Sequence, residues 1–509
     1  MKQSIITLSR IELSIYFVGW VSGIFYAIYH VHLQTSANFE YYDDVYGDFS
    51  PGWSWIGGKR DVSDPEWKVW IPFLYRLFPW VSVHIVGGQI IRSFFNSSIL
   101  CCWYIIITLA LILSSVGVPT VIFLLMQPLL SCLFMLTKGK TLLWTTHLLF
   151  VGILNVIKNP DCIVSRWLGV NEDEYNLIII VCAWIQLKSI AFSLDCVAKY
   201  EQKSFEGFPT EFVQILAYCL YLPTFFFGQL ILYQEFVNGI NTPFEKWTSK
   251  RVGTVFLYLS RYLFWVFFTE FAMHFVYINV LHFHPKMVSN FSSWALYGFG
   301  YCMGQYFSNK YVVLYGFSSA IARAENIADL KTPKCIGRIH LYSDMWKYFD
   351  RGLHKFLVRY IYLPIAGPTS VLRKIFASFT CFAFVYVWHG TRMYIFIWSA
   401  LNFVGVTIES LARIIANSKI YVEAESKLLG PRNVRRFHCM IASPLLAMSA
   451  ISNFYFFGGR AIGNIFMQRI FSDSWTSLIT LFSILYCCCQ ISTELKNREI
   501  KKSLTSKSD

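Results

Sequence analysis

The run Val387-Trp388-His389-Gly390-Thr391-Arg392 lies between two apolar stretches, Ile375 to Val387 and Met393 to Val406. A charged group at the centre of a membrane helix costs about 2.5 to 3.5 kcal/mol, so an ionisable residue in such a place starts as a functional candidate. An imidazole suits one task in particular. With a reference pKa near 6.5 against about 7.7 to 8.0 for an α-amine, the neutral ring can take a proton from an amine as it attacks an acyl carbon. The bland alternative for His389 is a hydrogen-bonded packing histidine.

A second group of candidates runs from Trp346 to Tyr360. Lys347, Arg351, Lys355 and Arg359 recur at four-residue spacing, which on one helix makes a single basic stripe. Asp350 and His354 fall on the neighbouring stripe, and Phe349, Leu353, Phe356 and Leu357 supply apolar cover. Such a ladder fits a ligand with phosphates at one end and an alkyl chain at the other, or phospholipid head groups under an interfacial helix. Asp350, between Lys347 and Arg351, reads as a ligand-positioning carboxylate, as one that orients a catalytic group through water, or as an ion-pair hub.

These residues need elements to hold them, and the composition says which. With 55% hydrophobic, 18% aromatic and 15% charged residues over 509 positions, the chain is too apolar for a soluble globular protein. The expected fold is an all-α polytopic membrane protein of about ten transmembrane helices, with re-entrant and amphipathic interfacial helices. Expected crossings are Leu13 to Val31, Ile99 to Gly117, Leu142 to Ile157, Leu177 to Leu194, Phe212 to Tyr233, Thr254 to Leu281, Trp294 to Ala322, Phe437 to Gly458 and Trp475 to Ser492. The stretch 375–406 either forms a hairpin bending near Gly390 or one long tilted helix.

The net charge of +14 collects in short connections, as membrane topology and anionic lipid require, and does not indicate nucleic acid. Lys2 and Arg10 before the first apolar run, and the acidic stretch Glu40 to Asp48 after it, place the amino terminus in the cytosol. The basic tail Lys496 to Lys507 places the carboxyl terminus there as well. No cleavable signal peptide is expected. Residues 34–66, with Tyr41, Tyr42, Asp43, Trp53 and Trp55, form a luminal loop, and the charged segment 323–374 is cytosolic and amphipathic. No second domain or internal repeat is visible, so 1–509 is expected to be one embedded domain. The 14 cysteines show no CxxC pair and no metal spacing.

The pairing of Trp346-Lys347-Tyr348-Phe349-Asp350 with Trp388-His389-Gly390, at 39 residues from Asp350 to His389, resembles the membrane-bound O-acyltransferase family. Within it the likeness is to the Hedgehog acyltransferase group, which acylates a protein amine. The resemblance extends to Gly57-Gly58-Lys59-Arg60-Asp61, to Asp64-Pro65-Glu66-Trp67, and to Ser452-Asn453 with Gly458-Gly459. A weaker element is Tyr221, Pro223, Gly228, Tyr233 and Phe236, with Gln229 where proline often follows the glycine.

The resemblance implies transfer of palmitoyl from palmitoyl-CoA to the amino-terminal cysteine amine of a secreted Hedgehog-type protein, in the endoplasmic reticulum or Golgi membrane. It makes His389 the catalytic base, and Asn453 a cavity-lining amide that steadies the oxyanion or else forms an interhelical hydrogen bond. Asp350, Lys347, Arg351 and Lys355 would hold the donor. Trp346 and Trp388 would pack against acyl chain or coenzyme, or simply fill the core. It also implies haem on Cys335, where composition alone reads a buried or acylated cysteine. The rivals are serine O-acylation of a Wnt-type ligand, acylation of a lipid hydroxyl, and a transporter or channel, which would also bury His389 and Arg392.

Overall fold

Long apolar runs become helices because hydrocarbon leaves backbone N–H and C=O groups no partners but one another. The computed structural model describes residues 7–40, 44, 46–200, 208–226, 228–368 and 370–505; Lys2, Tyr41, Tyr42, Asp43 and Lys507, used above, lie outside them. Side-chain caps set where the first helices begin. Ser9 receives the Glu12 N–H at 3.2 Å before α1 (Arg10–Phe39). Asp64 receives the Trp67 N–H at 2.6 Å before α2 (Pro65–Phe94), with Pro65 in the first turn. Asn96 does the same for α3 (Ser97–Met135). Between α1 and α2 lies a small antiparallel hairpin, β1 (Phe49–Pro51) with β2 (Lys59–Asp61), whose turn uses Gly57 and Gly58 at positive φ.

There follow α4 (Lys140–Ile157), α5 (Ile163–Leu168), α6 (Glu172–Tyr200), α7 (Phe208–Cys219), α8 (Tyr233–Ile240), α9 (Ser249–Ala272), α10 (Pro285–Ser289) and α11 (Ser293–Ala324). The second half holds α12 (Tyr342–Phe349), α13 (Arg351–Leu357), α14 (Leu363–Ala366), α15 (Val371–His389), α16 (Met393–Ala416), α17 (Lys419–Leu428), α18 (Pro431–Ser472) and α19 (Trp475–Thr505). Among the described residues ten helices are long and apolar enough to cross a membrane: α1, α2, α3, α4, α6, α9, α15, α16, α18 and α19. The architecture is all-α and polytopic.

Two of these helices double back. The 39 residues of α3 laid straight at about 1.5 Å each would far exceed a bilayer of about 30 Å. Gly117 breaks it at φ 82° ahead of Pro119, and Leu100 and Tyr104 from one limb share a buried cluster with Cys132 and Met135 from the other. In α18 the break is Gly459 at φ 75°, where the rings of Phe454 and Phe466 come within 4.2 Å.

Several expectations change. Phe212 to Tyr233 is not a crossing: α7 stops at Cys219, and Pro223 and Gly228 turn the chain through a buried irregular stretch. A Cβ on Gly228 would lie 2.2 Å from the Thr224 Cα, so only glycine permits the fold-back. Its carbonyls are satisfied by side chains, with Thr108 Oγ1 donating to Leu220 O at 2.7 Å, Tyr218 OH to Ile231 O at 2.7 Å and Lys188 Nζ to Cys219 O at 3.3 Å. Helix α9 ends at Ala272, short of Leu281. Helix α2 was not anticipated, because Pro72, Pro79 and Arg76 interrupt its apolar pattern. Helix α11, expected as a crossing, falls outside the ten by composition and instead packs against α1, α9 and α18 with most of its small residues buried.

The segment 375–406 is a helical hairpin and not one tilted helix. α15 ends at His389, Gly390 takes φ 131°, and α16 starts at Met393 and packs back on α15. The single helix expected over 346–360 is also broken. Asp350 is extended (φ −116°, ψ 93°) and caps α13, and a π turn over Val358–Tyr362 follows, so the basic residues do not share one stripe.

Candidate active site

A cavity of about 350 Å³ opens inside the bundle, walled by α1, α11, α12, α13, α15, α16, α18 and α19 and lined largely by apolar side chains. Its few polar groups include His389, Asp350, Asn453, Asn402 and His354. The order α15, turn at Gly390, α16 puts His389 on the last residue of a helix whose partner returns beside it. Three aromatic rings meet the imidazole edge-on or nearly so: Trp388 at 4.7 Å between centroids, Phe456 at 5.3 Å and Trp398 at 5.4 Å. Among the described residues no side chain or carbonyl hydrogen-bonds the ring.

Asp350 is held from two sides. Its Oδ2 accepts the Tyr315 hydroxyl at 2.8 Å and its Oδ1 accepts the Leu353 N–H at 2.9 Å. Burial pushes the carboxyl above the ordinary carboxylate range, against the pull of these two donors and of the Gly352 N–H. Lys347 and Arg351 do not pair with it; both lie over the Tyr348 ring, at 5.4 and 5.0 Å. The ion-pair hub is therefore replaced by a helix cap. Lys355 pairs with Glu235 at 2.5 Å and Arg359 with Asp195 at 2.8 Å, outside the cavity. His354 lines the cavity, and burial together with the Lys347 charge lowers its pKa.

Asn453 faces the same space. Its Oδ1 accepts the Trp398 indole N–H at 3.2 Å and its Nδ2 donates to Ser449 O at 2.9 Å, which leaves one amide N–H uncommitted. Trp346 lines the cavity and is fixed by its indole N–H on Asn402 Oδ1 at 3.0 Å. Trp388 lines it too, with its N–H on Ala183 O at 3.2 Å. Lys347, Arg351, Lys355 and Cys335 are not among the cavity residues. An imidazole, an amide donor and an enclosed carboxylate in an apolar chamber suit acyl transfer, where a proton is removed and an oxyanion develops.

The membrane-bound O-acyltransferase profile matches residues 99–452. A protein-cysteine N-palmitoyltransferase, Rasp, of Drosophila melanogaster is 31% identical over 98% of this chain and 98% of its own length. The chain belongs to the membrane-bound O-acyltransferase family. The mouse protein-cysteine N-palmitoyltransferase HHAT is 26% identical over 92% of this chain and 94% of its own, and a mouse HHAT-like protein 24% identical over 88% and 87%. This chain is accordingly an acyltransferase, and the transporter and channel alternatives fall away.

Haem finds no support in this acyltransferase. Cys335 is exposed, its Sγ lies 3.7 Å from Gln305 Oε1, and no group of three or more metal-ligating side chains occurs among the described residues. Tyr315, Trp398 and Phe456, which complete the chamber, were not anticipated from sequence. Asn402 offered a signal that went unused, a lone amide inside the apolar run after Met393.

Proposed function

We propose that this acyltransferase moves palmitoyl from palmitoyl-CoA to the amino-terminal cysteine amine of a secreted Hedgehog-type signalling protein. The observation that carries the proposal is His389, without a hydrogen bond among the described residues, in an apolar chamber that also holds Asp350 and an unspent amide N–H of Asn453. The likeness to two protein-cysteine N-palmitoyltransferases over nearly the whole chain supports the choice of donor and acceptor.

In this mechanism the neutral α-amine nitrogen attacks the thioester carbonyl carbon while His389 accepts the proton the amine gives up. The carbonyl π bond opens to an oxyanion, which takes the free Asn453 N–H; a donor of this kind is worth about 2.7 to 4 kcal/mol. Collapse reforms the carbonyl and breaks the C–S bond. The departing CoA thiolate receives the proton from His389, giving an amide and CoA thiol. Asp350 holds the start of α13 at the cavity wall, Trp346 and Trp388 pack along the acyl chain, and Lys347 and Arg351 meet the CoA phosphates from outside the chamber.

The chain works as one embedded domain in the endoplasmic reticulum or Golgi membrane with both termini cytosolic. Donor enters beside the cytosolic segment 323–374, acceptor arrives past the luminal segment 34–66, and 375–406 carries the base. The test is incubation of the purified enzyme with labelled palmitoyl-CoA and a peptide bearing an amino-terminal cysteine. Label that survives treatment cleaving thioesters and esters supports amide formation; label lost to it, or carried only by a serine peptide or a lipid alcohol, overturns the assignment.

A further inference from the structure

A base must be held still to act. Reacting atoms have to stay near 3 to 3.5 Å apart, and a displacement of about 1 Å can cost about a hundred-fold in rate. In many acyl-transfer sites a carboxylate orients the imidazole through its second nitrogen. His389 has no such partner among the described residues, so its orientation has to come through its backbone and the rings around it.

That backbone is clamped from α4. Asn155 Nδ2 donates to Val387 O at 2.7 Å, and Asn155 Oδ1 accepts the Thr391 N–H at 3.2 Å, so one amide grips the chain on both sides of His389 and Gly390. Lys158 Nζ donates to Trp388 O at 2.7 Å. Two of the carbonyls at the end of α15, which would otherwise lack partners, are thus met by side chains of α4 and of Lys158, the residue that caps its end. The clamp spans the start of the non-helical turn between α15 and α16, Gly390 at φ 131°, and a Cβ there would sit 3.9 Å from both Asn155 Oδ1 and Lys158 Nζ.

We propose that Asn155 and Lys158 are positioning residues for His389, acting on turnover through the backbone of residues 387–391 without touching either substrate. Neither is among the cavity residues, so their loss should leave binding alone. The assignment rests on His389 being the base.

Kinetics of Asn155→Ala and Lys158→Met, alone and each combined with His389→Ala, test it in the full-length enzyme. The expected result is a fall in kcat of about ten- to a hundred-fold. KM for palmitoyl-CoA and for the peptide should stay within about two-fold and the thermal midpoint should hold, because only orientation is lost. Lys158→Arg, which keeps a donor, should recover most of the rate. In the His389→Ala background the same changes should cost nothing further, since there is no longer a base to orient.

Unchanged kcat in both single variants would overturn the assignment, as would a loss of equal size with and without His389, or a fall in kcat matched by a fall in thermal midpoint that Lys158→Arg does not reverse. Full turnover by His389→Ala would instead remove the base itself, a different failure visible before any clamp variant is made.

Discussion

Two histidines inside the bundle, His84 buried and His389 half-buried at the cavity, face opposite fates in this enzyme. His84, on α2, gives Nε2 to Glu325 at 3.2 Å and stacks on Tyr104 at 4.6 Å between centroids, and both partners of the pair are wholly buried. Glu325 also receives the hydroxyls of Tyr221 at 2.6 Å and Tyr104 at 3.2 Å, while its backbone carbonyl takes Arg92, whose other terminal nitrogen reaches Gly239 O at 2.9 Å. Around Glu325 a charge is surrounded by donors from α2, α3 and the irregular stretch after α7. Around His389 there are aromatic rings, open space and, among the described residues, no hydrogen bond. Buried polar groups cost free energy unless satisfied, so the Glu325 carboxylate, met on both oxygens, reads as a fastening even though His84 Nδ1 and Arg92 Nε beside it lack partners, and the imidazole that faces the cavity reads as a group waiting for a ligand.

The largest effects should separate the two cleanly. His389→Ala is expected to lower turnover by about a hundred- to ten-thousand-fold with the thermal midpoint little changed, because it removes the proposed general base and no hydrogen bond among the described residues. Glu325→Ala should do the reverse, costing about 3 to 5 kcal/mol of stability by leaving buried donors unpaired, with near-normal turnover by whatever remains folded. Turnover of purified protein beside its melting curve checks both. A Glu325→Ala enzyme that melts normally yet does not turn over would break the comparison.

A smaller contrast lies among the basic residues of 347–359. Among the described residues Lys347 and Arg351 have aromatic neighbours and no carboxylate, and the Arg351 Nε is buried without a partner, whereas Lys355 is spent on Glu235. Charged hydrogen bonds to phosphate are worth about 1.5 to 3 kcal/mol. Lys347→Met and Arg351→Met should therefore each raise KM for palmitoyl-CoA by about ten-fold or more, an effect that shrinks as salt is added, while Lys355→Met should stay within about two-fold. Equal KM effects at all three positions would restore the single basic stripe that the four-residue spacing suggests.

That spacing shows where sequence stops informing. Apolar runs mark most helices because the signal is local and repeated, and the Trp-His pair and Asp350 stand out because polar residues in apolar surroundings are conspicuous. What escapes is set by distant contacts. Asp350 breaks the helix that would have aligned the lysines and arginines, and it does so by binding Tyr315, which no spacing connects to it. Asn155 grips residues 232 positions away. The stretch 220–232 looks like part of a crossing, yet buried hydroxyls from α3 and α7 let it run unwound at depth. Pro72 and Pro79 have the opposite effect, disguising α2 as a broken segment.

The hairpin after α1 offers the finest test of the saturation argument. Asp61 accepts Asn279 N–H at 2.7 Å, Val280 N–H at 3.3 Å, Ser63 N–H at 3.1 Å and Ser63 Oγ–H at 2.6 Å, so it counts as fastened. Yet burial outweighs those donors and pushes its carboxyl from 3.8 up to about 6. An acid whose folded pKa is raised contributes stability that is complete below 3.8 and lost as pH climbs through about 6. The thermal midpoint of the wild type, measured against that of Asp61→Asn, should then fall by a few degrees as pH rises from about 4 to about 7 and level off above that. Nearby His282, which burial lowers to about 4, carries the opposite dependence but is present in both proteins and cancels in the difference. A wild type that instead gains on the variant as pH rises would mean the four donors win over burial, placing Asp61 with the Glu325 carboxylate, whose two oxygens are met by three donors, and sharpening the divide between them and His389.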